Sequence, residues 1–204
     1  TLGVVDETVA ELALDDATMP PPLAAYDPGI VTVGGASKIF WGGLRLGWLR
    51  APADQVAMLT EVRVAFDLGA PVLEQLALIR MLEALPAARV ARAKAMVTAR
   101  DALASALRTQ LPGWRFAVPT GGLSLWVQLP APRSSALVAA AEDEGLLLAS
   151  GGQFAVEGGL ESFLRLPFTM PPETLVNAVS RLARAWDRMA DSPARTRRSA
   201  PLVA

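Results

Sequence analysis

The chain has 204 residues, 52% of them hydrophobic, which suits one large domain or two small ones with a sizeable core. Lys and Arg number 19 against 20 Asp and Glu, and the resulting net charge of −1 offers no global pull toward nucleic acid or a membrane surface. Cys and His are both absent, which excludes disulfides, a thiolate nucleophile, Cys or His metal sites, a Ser-His-Asp triad and an imidazole base.

No apolar run is long enough to span a bilayer and no charged-then-apolar leader opens the chain, so a cytoplasmic protein is the default expectation. Covalent chemistry is left to Lys, Ser, Thr, Tyr or a carboxylate. Lysine occurs only at Lys38 and Lys94, while arginine is abundant. Arginine cannot form a Schiff base with an aldehyde and lysine can, so a lysine retained in a Gly-rich turn invites a chemical reading.

In chain order, Thr1–Asp6 reads as a short buried strand with nothing before it, the way a fragment begins. After Pro20-Pro21-Pro22, Ile30–Val33 reads as a second strand ending at Gly34-Gly35, and both have the apolar character of parallel-sheet strands. Leu44–Leu49 reads as a third strand, closed by Pro52. From Pro71 the period becomes helical, with Leu73, Leu76, Ile79 and Leu82 recurring up to a break at Pro86. A longer helix is expected from about Ala87 to Leu111, stopped by Pro112-Gly113.

Next come strands at Trp114–Val118 and Leu123–Leu129 around Pro119-Thr120-Gly121-Gly122, and a helix from Ser134 to Glu144. The apolar step Leu146–Leu148 leads to a strand at Phe163–Pro167. A helix over Pro172–Arg188 follows, with Leu175, Val179, Leu182 and Trp186 on one face. Residues 191–204, with Arg195, Arg197 and Arg198, read as a frayed tail. The pattern has no internal repeat and describes an α/β chain in two parts, 1–86 and 87–190.

Asp6 ends the first strand, Lys38 follows the Gly-rich end of the second, and Arg45 begins the third. If the first two strands run parallel and the third returns antiparallel, all three residues share the edge where open α/β sheets bind ligands. An amine, a carboxylate and a guanidinium are what pyridoxal phosphate (PLP) requires. The amine forms an imine with its aldehyde, the carboxylate keeps the pyridine nitrogen protonated, and the guanidinium suits its phosphate. Each residue also has a plainer reading. Lys38 could be a surface lysine, Asp6 a loop cap, Ser37 a turn stabiliser, Arg45 a solvated strand end and Arg165 one half of an ion pair at the core edge. Trp41, Trp48, Trp114, Trp126 and Trp186 are most simply core or interface residues.

The run Gly34–Trp48, centred on Ser37-Lys38, resembles the Schiff-base lysine segment of class I/II aminotransferases. Asp6-Glu7 resembles their pyridine-nitrogen aspartate segment, Pro119–Leu123 their small-domain glycine turn, and Phe163–Phe168 the segment whose arginine grips the substrate α-carboxylate. The four segments occur in family order over most of the chain. The resemblance implies the C-terminal part of a fold-type I PLP domain, with residues 1–86 ending the large domain. It implies Lys38 as the Schiff-base residue, Asp6, Ser37 and Arg45 as further cofactor contacts, and Arg165 as the carboxylate binder.

Within that family, Lys38–Arg45 is most similar to the MocR branch of GntR-type regulators. That implies a dimeric, PLP-binding effector domain that senses an amine or amino acid, with DNA bound by a winged helix upstream of residue 1. A working aminotransferase exchanging amino groups between amino acids and 2-oxo acids is the alternative, and a cofactor-free scaffold is a third. Two positions depart from the aminotransferase pattern. Val9 stands where a tyrosine commonly donates to the cofactor's ring oxygen, and Gly35 where a serine commonly precedes the lysine by three. Both changes bear on tuning of the imine more than on its formation.

Overall fold

A computed structural model describes residues 2–67 and 69–191. The chain folds as two compact units, one formed by residues up to Val97 together with Pro119–Leu123, the other by Thr98–Val118 and the residues from Ser124 onward.

The first unit carries a three-stranded sheet in the order β1-β2-β3, with β1 at Val4–Asp6, β2 at Val31–Gly35 and β3 at Gly47–Arg50. β1 runs parallel to β2, pairing Val4 with Val31 and Asp6 with Val33, and β3 returns antiparallel, pairing Gly35 with Gly47. The sequence-based directions of all three strands therefore hold. The third strand starts later than expected, because Gly42–Leu44 forms a 3-10 turn and Arg45 leaves it in the left-handed region, at φ 50° and ψ 30°. Arg45 thus precedes β3 and does not begin it. Leu44 and Leu46 are buried with Ala36, and Phe40, Ala70, Leu78 and Met81 pack against them.

Three helices follow. α1 (Ala53–Arg63) has no buried residue and was not among the expected elements. α2 (Val72–Glu83) and α3 (Leu85–Gln110) match the expected pair, separated at Ala84. Pro86 is the second residue of α3, in the first turn, where its missing N–H breaks no helical hydrogen bond.

In the second unit, β4 (Ser124–Gln128), β5 (Ala149–Ser150) and β6 (Phe163–Pro167) form an antiparallel sheet in the order β4-β6-β5. Leu125 and Val127 of β4 and Leu164 and Leu166 of β6 are buried, while Trp126 and Arg165 alternate outward, as a half-covered sheet requires. The core is completed by Leu103 and Leu107 of α3, Leu137 and Ala141 of α4 (Ser134–Glu142), and Leu175, Val179, Leu182 and Ala185 of α5 (Pro172–Asp191). Buried Trp114 meets Trp186 edge-on at 5.3 Å.

The strand expected at Trp114–Val118 shrinks to a single bridge between Arg115 and Gln128. Trp114 spends its N–H on the carbonyl of Leu111, and Pro119 has none to give. α4 ends two residues earlier than expected, where Gly145 at φ 71° turns the chain. Glu144, just beyond it, accepts hydrogen bonds from Arg184 and Arg188 of α5, which hold its carboxyl below the usual range. Among the described residues no helix is long and apolar enough to cross a membrane. Thr1 of the expected first strand and the tail beyond Asp191 lie outside the described residues.

Leu107 is fully buried, so Leu107→Ala should cost about 2–5 kcal/mol of stability by chemical denaturation. A loss no larger than the roughly 0.5 kcal/mol of a surface change would contradict this packing.

Candidate functional site

Parallel pairing of β1 with β2 brings the carboxyl end of one strand beside that of the other. Asp6 is the last residue of β1, and Lys38 sits in the turn Ser37–Phe40 that follows β2. A helical hydrogen bond from the Phe40 N–H to the Ala36 carbonyl (3.0 Å) closes that turn, and buried Ala36 and Ile39 anchor it. Lys38 is exposed between those two anchors. The turn is thus fixed while its amine stays free to react.

Gly34 shows why this corner is glycine-rich. It lies opposite Trp48 across the β2–β3 ladder, and a Cβ there would stand 2.4 Å from the indole nitrogen. A larger residue there would displace the Trp48 ring.

Asp6 accepts a hydrogen bond from the backbone N–H of Thr8 at 2.8 Å. That bond, the Thr8 hydroxyl and the charge of Lys38 together hold the Asp6 carboxyl below the usual range, against a smaller opposing effect of burial. The loop-cap reading of Asp6 therefore holds, and the same bond keeps the carboxylate ionised. Thr8 is a contributor that sequence reading passed over, although Asp-x-Thr is the spacing of a side-chain-closed turn.

Arg45 is exposed, and its left-handed backbone turns it out of the strand ladder. Neither Lys38 nor Arg45 makes an ion pair or side-chain hydrogen bond with another described residue. Ser37 is half-buried at the start of the lysine turn. Val9, in the turn after Asp6, is 46% exposed and offers no donor. The glycine turn at 119–123 is part of this same unit. Gly121 bridges Ala13, the Leu14 N–H donates to the Thr120 carbonyl, and the Gly122 N–H donates to that of Leu12.

Arg165 belongs to the second unit, so the structure groups Asp6, Ser37, Lys38 and Arg45 and describes Arg165 apart from them. It is exposed on β6, opposite Trp126 on one side and Ala149 on the other. The ion-pair reading finds no carboxylate partner among the described residues. What Arg165 has instead is the ring of Phe154, a neighbour that sequence reading missed. Trp126, read as core or interface, is 39% exposed beside it.

An α/β arrangement with a parallel strand pair, a lysine turn at its carboxyl edge and a separate small antiparallel sheet is the C-terminal architecture of fold-type I aminotransferases, and solved members of that fold match it. LysN, the alpha-aminoadipate aminotransferase of Thermus thermophilus crystallised with N-(5'-phosphopyridoxyl)-L-leucine, superposes with a TM-score of 0.86 at 26% identity, over 93% of this chain and 51% of its own.

By sequence the chain is 30% identical over 191 residues to the 2-aminoadipate transaminase of Thermus thermophilus, covering 89% of this chain and 48% of that protein. It is 28% identical over 174 residues to YdfD of Bacillus subtilis, an uncharacterized HTH-type transcriptional regulator, covering 81% of this chain and 35% of that protein. The chain thus spans about half the length, or less, of the curated relatives it matches. No family model matches it.

Because the folded value of Asp6 is lowered, the ionised form is the favoured one. Its stabilising effect is complete above the ordinary carboxylate range and is lost as pH falls through the lowered value. Carboxyl-carbon NMR should place the Asp6 midpoint below 3.8, and Thr8→Val, which keeps the N–H but removes the hydroxyl, should move it part of the way back. A midpoint that Thr8→Val leaves unmoved would remove the Thr8 hydroxyl from the site.

Proposed function

We propose that this chain forms the lysine-bearing part of a PLP-binding, aminotransferase-like domain, and that this domain is the amino-acid-sensing effector of a MocR-type member of the GntR regulators. The single observation that carries the cofactor reading is the shared edge. An amine without a competing partner and a carboxylate held ionised stand at the ends of adjacent parallel strands. In this reading residues 1–86 end the large domain, 87–190 form the small domain, and the intact protein is a homodimer.

The donor set fits the group. Lys38 would be the point of covalent attachment, Asp6 would pair with the pyridine nitrogen, and Arg45 would hold the phosphate with Ser37 and the nearby backbone N–H groups. When bound, PLP supplies an electron sink for charge developing on the amino acid's α-carbon. The chain's own work is to keep Asp6 negative through Thr8, to present the Lys38 amine on an anchored turn, and to offer the Arg165 fork to the ligand's carboxylate.

Support for the regulator reading comes from YdfD and from Val9, whose side chain would supply none of the hydroxyl donation to the ring oxygen that rapid proton movement calls for. A sensor needs binding and a domain shift, and efficient turnover needs in addition fine control of proton transfer. A working aminotransferase is the second reading, supported by the transaminase among the curated relatives. Steady-state amino transfer from common amino acids to 2-oxoglutarate should be slow or absent, while an amino acid should change the intact protein's affinity for its own promoter DNA. Robust turnover without a DNA response would reverse the two.

The arginine roles separate by phenotype. Arg45→Ala should weaken PLP binding even without amino acid. Arg165→Ala should leave cofactor loading nearly intact and cost roughly 2–5 kcal/mol of amino-acid affinity at a desolvated site. Exchanged phenotypes would show the assignments to be inverted.

A further inference from the structure

β6 is the central strand of its sheet, so Arg165 has a neighbour on each side, Trp126 of β4 and Ala149 of β5. Directly opposed residues share a face, so Trp126 stands beside the guanidinium stem. The 3-10 turn Gly151–Phe154 follows β5 and ends on Phe154, whose ring centroid lies 6.0 Å from the guanidinium carbon of Arg165. Phe154 meets Trp126 edge-on at 5.6 Å and 82°, and Trp126 in turn stacks on Phe163 at 5.5 Å and 11°. One ring, Phe154, thus lies near the guanidinium and belongs to a cluster with Trp126 and Phe163, although Phe154 and Trp126 are 48% and 39% exposed.

The turn that delivers Phe154 is built to stay in place. Gly151 is buried so tightly that a Cβ would lie 2.1 Å from the Leu160 carbonyl oxygen and 2.7 Å from that of Phe163. Beyond the turn, Glu161 accepts from the backbone N–H of Ser135 at 3.0 Å and from its hydroxyl at 2.7 Å, tying this loop to the start of α4.

We propose that Phe154, braced by Trp126 and Phe163, is a positioning residue that holds the Arg165 guanidinium for a ligand carboxylate. The inference rests on the reading of Arg165 as a carboxylate binder. Its physical content is a difference between two ways of fixing a cation. A carboxylate partner would occupy the N–H fork, whereas a ring attracts the cation through its π face without accepting those N–H groups as a carboxylate does, and so leaves the fork available for a bidentate contact. No described side chain competes for that fork. An exposed arginine without such a wall samples many rotamers and pays to order them on binding.

The test uses the intact protein labelled with 15N-arginine, with acetate as the minimal carboxylate probe. In the wild type, the Arg165 Nε–H signal, assigned by its loss in Arg165→Lys, should be displaced by the aromatic ring and move saturably with acetate. Phe154→Leu keeps the apolar bulk and should lose the ring displacement and bind acetate roughly threefold to tenfold more weakly. Phe154→Tyr should restore both, and Trp126→Phe should fall between. A Phe154→Leu protein with wild-type signal position and acetate affinity would overturn the positioning role while leaving Arg165 as the binder. A wild-type signal indifferent to acetate would remove the carboxylate reading and this proposal with it.

Discussion

Everything at the lysine site depends on β2 having two different neighbours. Its parallel partner β1 brings Asp6 level with Val33, and its antiparallel partner β3 brings Gly47 level with Gly35. The connection between β2 and β3 must therefore reverse at the same edge where β1 ends, and Lys38 lies in that reversal. Ladder hydrogen bonds fix the register, and burial of Ala36, Leu44 and Leu46 fixes both limbs of the connection. A one-residue slip would turn the apolar set of β2 to the other face and carry the lysine turn away from Asp6. The lysine turn is positioned by strand pairing and by the close contact of Gly34 with Trp48, in a chain that has no cysteine to form a disulfide.

How much of this was legible in the sequence follows from which residues had to be buried. β2 and β6 could be read because their apolar residues sit where pairing and burial demand them, and α5 because Leu175, Val179 and Leu182 recur on one face, whereas β1 and β3, exposed along most of their length, were legible only as short apolar runs. α1 was not legible, since Val56, Met58 and Val62 do not recur at the even helical spacing that Leu73, Leu76, Ile79 and Leu82 give α2, although both helices lack a buried residue. Arg45 was placed one step wrong because Leu44 and Leu46 alternate like strand residues, yet a 3-10 turn ending in left-handed backbone buries them equally well. The failure at Trp114–Val118 has a similar cause. β-prone residues there are consumed by helix termination at one end and Pro119 at the other.

Within the candidate site, the residues that would react were easier to find than those that hold them. Lys38 stood out through the scarcity of lysine and Asp6 through its strand-end position. Thr8 and Phe154 act only through where the backbone takes them, a side-chain-closed turn in one case and a turn against β6 in the other. Thr8 fixes a charged group without using up the valence it needs, by donating to a carboxylate that still has oxygen to spare, and the role proposed for Phe154 beside Arg165 is of the same kind.

The central claim is that Lys38 is the amine at a PLP site formed on the carboxyl edge of β1 and β2. It is tested most directly by loading the intact protein with PLP, reducing it with borohydride and mapping the pyridoxyl-modified peptide. The account predicts a single label, on Lys38, that disappears in Lys38→Arg. A label on Lys94, or no label on the intact protein, would contradict it.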